Sequence, residues 1–220
     1  MNVGSLIEDN TATLAFTTLN TKRFKTNSDT QNTNTSTTTT TVPSTKVTVN
    51  SDTHYSYGYW DTKGVAATPF SEGDIIASSV VGSYTALADY SGNVVSIRDG
   101  LASTTGSIYM SVDFSANYIT GGSLNITDSA NQTWYVTING GTFLSGNNFT
   151  LNSSDMSNMS GSMTYTSGTL NGTFYGTGTT NPVQNQDGVS GTFTLTGSNA
   201  GTSTTIEGAY GAINTGQTLP

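Results

Sequence analysis

The residues best suited to chemistry lie in one short aromatic stretch from His54 to Trp60, with the sequence HYSYGYW. His54 is the single histidine of the chain, and Tyr55, Tyr57 and Tyr59 alternate with small residues beside it. An imidazole and phenols could ligate haem iron or stack on a flat ligand, given an apolar slot. The same alternation is typical of a strand whose aromatic face packs into a core, plugs a barrel or contacts a protein. These five residues are therefore the candidate ligand-binding set, although in the simplest interpretation His54 has no role.

The sequence contains no arrangement that favours catalysis. A Ser-His-Asp triad has no support, because one histidine stands among many serines that nothing marks as nucleophiles. Most carboxylates lie at expected turns, where aspartate is favoured by local hydrogen bonds. Asp113 and Glu207 lie in expected strands and should point outward, with a pairing of Glu207 with Arg98 as the alternative. Asp128 and Asn131 match no calcium-binding loop. Since the chain also has no cysteine, we predict a non-enzymatic protein without a metal site.

The composition limits the classes of partner. A net charge of −8 and a pI near 4.2 argue against nucleic acid, whose phosphates require clustered lysine and arginine. No apolar run approaches the ~18 residues of a membrane-spanning helix, and no aromatic girdles mark an outer-membrane barrel. We predict a chain that does not span a membrane. Its few charges, its lack of cysteine and its wealth of serine, threonine and asparagine indicate a bacterial, extracytoplasmic protein.

A repeated phrase defines the elements that must position these residues. A glycine is followed by Ser, Thr or Ala and then by a large apolar residue, and period-two alternation, the mark of a half-buried strand, follows each copy. The eight copies are Gly82-Ser83-Tyr84, Gly106-Ser107-Ile108, Gly122-Ser123-Leu124, Gly141-Thr142-Phe143, Gly161-Ser162-Met163, Gly172-Thr173-Phe174, Gly191-Thr192-Phe193 and Gly208-Ala209-Tyr210. Residues 81–90 and 92–97 are predicted to form a hairpin around Ser91-Gly92.

These strands predict the fold class. An open sheet as polar as this one would expose two edges of unpaired donors and acceptors, and closing the sheet removes both edges. Eight strands give a barrel that its own interior side chains can fill. We therefore predict an all-β fold with a single antiparallel eight-stranded up-and-down β-barrel, preceded by a Thr/Asn-rich linker.

The chain divides at about residue 50. Residues 1–50 contain a long Thr/Ser/Asn-rich tract that cannot bury enough apolar surface to offset its ordering entropy. We predict an N-terminal tail and flexible linker over 1–50, with an irregular strap across the domain as the alternative. The barrel domain is predicted over 51–220.

Five stretches between residues 54 and 214 match, in order, motifs of a known bacterial family. They are Tyr57-Gly58-Tyr59-Trp60, Gly82-Ser83-Tyr84 with Tyr90-Ser91-Gly92-Asn93-Val94, Ser111-Val112-Asp113-Phe114, Gly121-Gly122-Ser123-Leu124, and Gly191-Thr192-Phe193 with Ile206-Glu207-Gly208-Ala209-Tyr210. In these stretches the chain resembles the β-barrel domain of transferrin-binding protein B and its relatives among bacterial surface lipoproteins.

The resemblance implies a function class. Proteins of that family are non-enzymatic and capture host iron carriers, haemoglobin, haem or a complement regulator. By this resemblance the chain is a binding module, extracellular or on the outer-membrane surface of a bacterium. It is expected to recognise a protein partner through loops at one barrel end, such as residues 61–80, 99–106 and 177–189. Two alternatives remain: a carrier of haem or another small ligand, and a structural end domain of a larger extracellular protein.

Overall fold

The computed structural model describes residues 45–51, 54–62, 68–98, 101–102, 105–158, 161–176 and 188–218. The predicted tail and most of the linker, residues 1–44, lie outside the described residues. Within the described ranges the fold is almost entirely β. The strands are β1 (Thr45–Ser51), β2 (Tyr55–Thr62), β3 (Thr68–Gly73), β4 (Leu87–Arg98), β5 (Leu101–Ala102), β6 (Thr105–Asp113), β7 (Tyr118–Thr127), β8 (Thr133–Ile138), β9 (Gly141–Ser145), β10 (Asn148–Leu151), β11 (Met156–Asn158), β12 (Thr164–Tyr175), β13 (Gly188–Asn199) and β14 (Thr202–Thr218). Helix α1 spans Ser78–Val81, and a single 3-10 turn spans Ser153–Asp155.

The main sheet closes into a barrel of antiparallel strands. β8 and β9 act as one interrupted strand, because both pair with β7 in a single continuous register. β10 and β11 likewise form one strand, interrupted by the 3-10 turn, and pair with β9 and β8 respectively. From β4 the ring runs through β6, β7, β8–β9, β10–β11, β12 and β13 to β14, which pairs back with β4. The predicted eight-stranded up-and-down barrel is confirmed.

Aromatic side chains fill the barrel interior. Strand residues alternate between the buried core and a Ser/Thr/Asn surface, as the period-two pattern predicts. Phe174 lies at the centre, with its ring centroid 5.4 Å from that of Phe114, 5.8 Å from that of Tyr90 and 5.9 Å from that of Phe149. Trp134, Phe193 and Tyr210 are also almost fully buried. The interior is thus a packed core made of the barrel's own side chains.

The predicted hairpin around Ser91-Gly92 is wrong. Both residues lie within the continuous strand β4, which pairs with β14 through Ser91–Ile213 and Gly92–Ala212. A Cβ on Gly92 would lie 1.9 Å from the carbonyl oxygen of Gly211. Glycine is required here because two backbones approach closely. In the sequence, a glycine of this kind cannot be distinguished from a glycine at a turn.

A second sheet packs against the outside of the barrel. Its strand order is β1–β2–β3, and it holds the aromatic stretch, which is therefore not a barrel strand. Residues 45–50, expected in the linker, lie in β1 and pair with β2. The alternation of Val47 and Val49 with polar residues explains this strand, although it is short enough to be missed inside a polar tract. We name β1–β3 the accessory sheet.

Segment 76–86 closes one end of the barrel. The side chains of Ile76, Val81 and Tyr84 are buried in the barrel core, so α1 and its flanks cover the opening. Asn147 Nδ2 donates a 2.8 Å hydrogen bond to the carbonyl of Ile76, and Ser78 Oγ donates one of 3.2 Å to Asn147 Oδ1. The turn between β9 and β10 is thereby joined to this cover.

Candidate functional site

The structure brings three of the five candidate residues together on one face of β2. Tyr55, Tyr57 and Tyr59 are only 5%, 5% and 4% exposed. The ring centroids of Tyr55 and Tyr57 are 6.2 Å apart, and those of Tyr55 and Tyr175 are 5.9 Å apart. Because Tyr175 belongs to the outer face of the barrel, these rings form the core between the accessory sheet and the barrel wall.

These tyrosines pack against two glycines on the outer face of the barrel. A Cβ on Gly188 would lie 2.2 Å from Tyr55 Cε1, and a Cβ on Gly211 would lie 2.4 Å from both Tyr55 Cε2 and Tyr57 Cε1. The rings therefore lie directly on the backbone of β13 and β14. Covered on this side by the barrel and on the other by their own sheet, the rings offer no open face to a haem plane.

His54 directly precedes β2 and contacts a residue outside this packed face. The His54 side chain is 11% exposed, and its Nδ1 lies 3.8 Å from Asp74 Oδ2. Its Nε2 is buried and makes no hydrogen bond within the described part of the chain. The backbone of Trp60 pairs with Val47 and Thr68, and its side chain lies outside the described residues. Of the five candidates, the structure thus places Tyr55, Tyr57 and Tyr59 on one buried face of β2 and His54 just before that strand.

A chain of hydroxyls fixes β3 to the barrel wall. Ser71 Oγ donates a 2.8 Å hydrogen bond to Ser190 Oγ, which donates a 2.6 Å hydrogen bond to the carbonyl of Tyr210. Ser71 is also hydrogen-bonded to the Tyr175 hydroxyl at 3.3 Å. Ser190 is fully buried, so its hydroxyl needs these partners. The sequence analysis did not select Ser71 or Ser190, because these two serines lie more than 100 residues apart in the chain.

An open cleft lies where β3 meets the outer face of the barrel. Its volume is about 250 Å³. Its polar lining includes Ser71 of β3, Asn148 and Thr150 of β10, Asn171 and Thr173 of β12, and Thr192 of β13. The backbones of Gly172 and Gly191, which pair directly across β12 and β13, form part of its floor. We name it the β3 cleft.

Three exposed tyrosines lie on the outer face of β6, β7 and β8, which we name the tyrosine wall. Tyr109, Tyr118 and Tyr135 are 40%, 36% and 36% exposed. Tyr109 and Tyr135 flank β7, where their strand partners are Ser123 and Asn125. Sequence reasoning did not select them as a site. The sequence did contain a signal for Tyr109. Its neighbours Ile108 and Met110 belong to the inward face of the strand, so the aromatic ring between them must face outward.

The ring of Tyr109 is held along the barrel surface. Its hydroxyl donates a 2.9 Å hydrogen bond to Asp89 Oδ1 and is hydrogen-bonded to Ser111 Oγ at 2.7 Å. Since Ser111 lies two residues further along the same strand, these hydrogen bonds direct the side chain along the strand. Tyr109 is therefore a preorganised aromatic contact surface.

The far end of the barrel carries a buried ion pair at the turn between β7 and β8. Asp128, 1% exposed, accepts a 2.6 Å hydrogen bond from Arg98 Nη1 and a 3.0 Å hydrogen bond from Trp134 Nε1. Its other oxygen accepts the backbone N–H groups of Ala130 and Gln132, each at 2.9 Å. Burial acts to raise the pKa of this carboxyl, but the hydrogen bonds, led by that of Trp134, outweigh it and lower the pKa below its usual value.

The described residues contain no cluster of three or more histidine, aspartate or glutamate side chains that could hold a metal ion. In the same part of the chain, no helix is long and apolar enough to cross a bilayer.

Comparison with known proteins gives a distant structural likeness. No family model and no curated protein sequence matches the chain. Among solved structures, a single-site mutant of the vaccine antigen transferrin-binding protein B from Haemophilus parasuis is similar, at 13% identity and a TM-score of 0.46. The match covers 80% of this chain and 36% of that protein, so this chain spans about a third of its length. That protein belongs by name to the family whose motifs this sequence resembles. The barrel fold of this chain is established independently, by its own strand pairings.

Proposed function

We propose that this chain is a non-enzymatic binding module, secreted or on the surface of a bacterium, that recognises a protein partner through the tyrosine wall. The carrying observation is the exposure of Tyr109, Tyr118 and Tyr135 on one face of a barrel whose own side chains fill its interior. Tyrosine is enriched at protein interfaces and among the residues that dominate binding energy. Since the barrel's own side chains fill its interior, we place recognition on the outer surface.

The strands that lead into two of the predicted recognition loops finish at opposite ends of the barrel. In an up-and-down barrel successive connections alternate between the two ends. β4 runs toward Arg98 at one end, and β12 runs in the opposite direction toward Tyr175 at the other end. The loops that follow these strands, within 99–106 and 177–189, therefore start from opposite ends. Residues 61–80 also include strand β3 and part of α1. We take the side wall as the recognition surface instead, because its three exposed tyrosines lie on neighbouring strands.

The test is surface plasmon resonance on the full chain against a panel of purified extracellular host proteins: transferrin, haemoglobin and a complement regulator. We expect one of them to bind, and the triple variant Tyr109→Ala, Tyr118→Ala, Tyr135→Ala to weaken binding at least tenfold, since interface tyrosines often contribute more than ~1 kcal/mol each. Ile75→Ala is the matched control, because Ile75 is 57% exposed and bridges to Tyr175 of β12, across the barrel from the wall. Unchanged affinity in the triple variant would reject the wall, and no binding across the panel would favour the structural-domain alternative.

A further inference from the structure

The β3 cleft differs chemically from the tyrosine wall, and we propose that it binds a neutral saccharide. This site is separate from the proposed protein-binding surface and does not depend on it. With a volume of about 250 Å³, the cleft lies just below the range of roughly 300–1,000 Å³ typical of ligand pockets. The ligand expected from this size is a terminal sugar or a disaccharide.

The charge of the cleft selects a neutral ligand. Among the described residues that line the cleft, every polar side chain belongs to serine, threonine, asparagine or tyrosine, and none carries a charge. Against these residues an anionic ligand would lack a cation to pair with, and it would face a chain of net charge −8. A cationic ligand would lack a carboxylate among the same residues. Hydroxyl and amide groups instead match a ligand that is rich in hydroxyl groups and has no charge.

The hydrogen bonds inside the cleft leave donors and acceptors side by side. Thr150 Oγ1 donates a 2.7 Å hydrogen bond to Asn171 Oδ1, and Thr173 Oγ1 donates one of 2.7 Å to Asn148 Oδ1. Each threonine oxygen therefore keeps lone pairs that can accept, and the Asn171 amide nitrogen keeps two N–H groups that can donate. Adjacent sugar hydroxyls each donate and accept, so neighbouring donors and acceptors are the pattern they require.

The cleft is rigid before any ligand binds. Gly172 and Gly191 pair within a continuous ladder of backbone hydrogen bonds, which fixes the floor. On the opposite side Ser71 is held by Ser190, whose hydroxyl is bound in turn to the backbone. A preformed site loses little conformational entropy on binding, and this favours even a small polar ligand.

The experiment is a nuclear magnetic resonance titration of the full chain with galactose, glucose, mannose, N-acetylglucosamine and their β-linked disaccharides. We expect at least one sugar to bind with a Kd in the millimolar range or tighter and to shift backbone amides within 148–150, 171–173 and 190–192. The double variant Asn171→Leu, Thr173→Val keeps side-chain size while removing the free donors and a hydroxyl. It should weaken that binding at least tenfold.

The control and the contrary outcomes separate this site from others. Thr137→Val makes a similar change on the outer face of β8, and it should leave sugar binding unchanged. The proposal is overturned if no neutral sugar shifts the cleft amides or if the double variant binds as well as the parent. Equal or tighter binding of sialylated sugars would contradict the charge argument, and shifts caused only by an extended peptide would assign the cleft to strand addition at β3. None of these results bears on the tyrosine wall, which the triple variant tests.

Discussion

Asp128 is the residue whose surroundings bear most directly on stability. It accepts hydrogen bonds from a guanidinium, an indole and two backbone N–H groups while almost completely buried. Removing one partner of a buried ion pair leaves the other charge without compensation, which typically costs more than the pair itself contributes. Arg98 of β4 and the turn between β7 and β8 are held together here, so the pair joins two separate parts of the barrel end.

Asp128→Ala is expected to lower the free energy of unfolding by about 3 kcal/mol, because Arg98 and Trp134 lose their acceptor. For a chain of this size that corresponds to roughly 6–12 °C in Tm. Differential scanning calorimetry would measure it, with Asp74→Asn as control, since the Asp74 side chain is 71% exposed. Equal effects of the two variants would contradict the buried role of Asp128.

The lowered pKa of Asp128 also predicts a dependence on pH. A carboxyl whose pKa is lower in the folded state contributes stability that is fully present above its unfolded pKa, about 3.9, and is lost as the pH falls through its folded pKa. Acid unfolding of the parent should therefore include a contribution, below about pH 4, that Asp128→Asn lacks. Urea titrations from pH 2 to pH 7 would show it as a smaller slope of stability against pH in the variant, and an identical slope would argue against it.

At this scale the sequence predicted orientation better than partnership. Period-two alternation puts Ile108 and Met110 on one face of their strand and Tyr109 on the other, because side-chain direction in a strand follows from position alone. It could not pair Arg98 with Asp128, since that contact depends on how two non-adjacent strands end at the same rim. The sequence also could not show that Tyr55 and Tyr57 are buried, because an aromatic face of a strand does not specify which surface covers it.

Among the elements, β12, β13 and β14 show why glycine recurs in this chain. Gly172 and Gly191 lie opposite each other in the middle of their strands. The copies of the repeated glycine motif that contain them were expected to mark the starts of strands. The Tyr210 hydroxyl donates a 3.1 Å hydrogen bond to the carbonyl of Asn171, so its side chain crosses from β14 over β13 to β12. The sequence correctly indicated strands around these glycines. It could not show that the missing side chains make room for an aromatic neighbour.

Gly191→Ala should destabilise the barrel by about 1–3 kcal/mol, because the new Cβ would lie 1.7 Å from the Asn171 carbonyl oxygen and force the backbones apart. Gly216→Ala is a matched substitution in β14 with no atom within 4 Å, and it should be neutral or slightly stabilising. Chemical denaturation of both variants would measure the difference. If the two midpoints agree, close backbone approach is not the reason for glycine at 191.

In the whole molecule, a small separate core holds the accessory sheet to the barrel. Tyr55, Tyr57, Tyr175 and Ala209 form this core, apart from the large cluster inside the barrel. An all-β fold closed into a barrel was predictable from composition and alternation. A second sheet on the outer wall was not, because the aromatic strand and the first barrel strand have the same two-residue period and the sequence alone does not assign them to different sheets.

Tyr55→Ala is expected to loosen the accessory sheet while leaving the barrel intact, since truncating a buried aromatic ring removes about 3 kcal/mol of packing from this small core. Amide hydrogen exchange should accelerate within β1, β2 and β3 and stay unchanged in β6, β7 and β8. Tyr135→Ala, on the exposed wall, should alter neither region. Faster exchange throughout the barrel would mean that the two sheets unfold as one cooperative unit.

The pairing of the first and last barrel strands also determines how the barrel would respond to mechanical load. Leu87 pairs with Thr218, so the barrel's two chain ends lie side by side at the same rim. Tension applied between them would open the β4–β14 seam one rung at a time, as a zipper opens, instead of shearing all its rungs at once. A tether at one of these ends and a partner held on the side wall would direct the pull away from that seam.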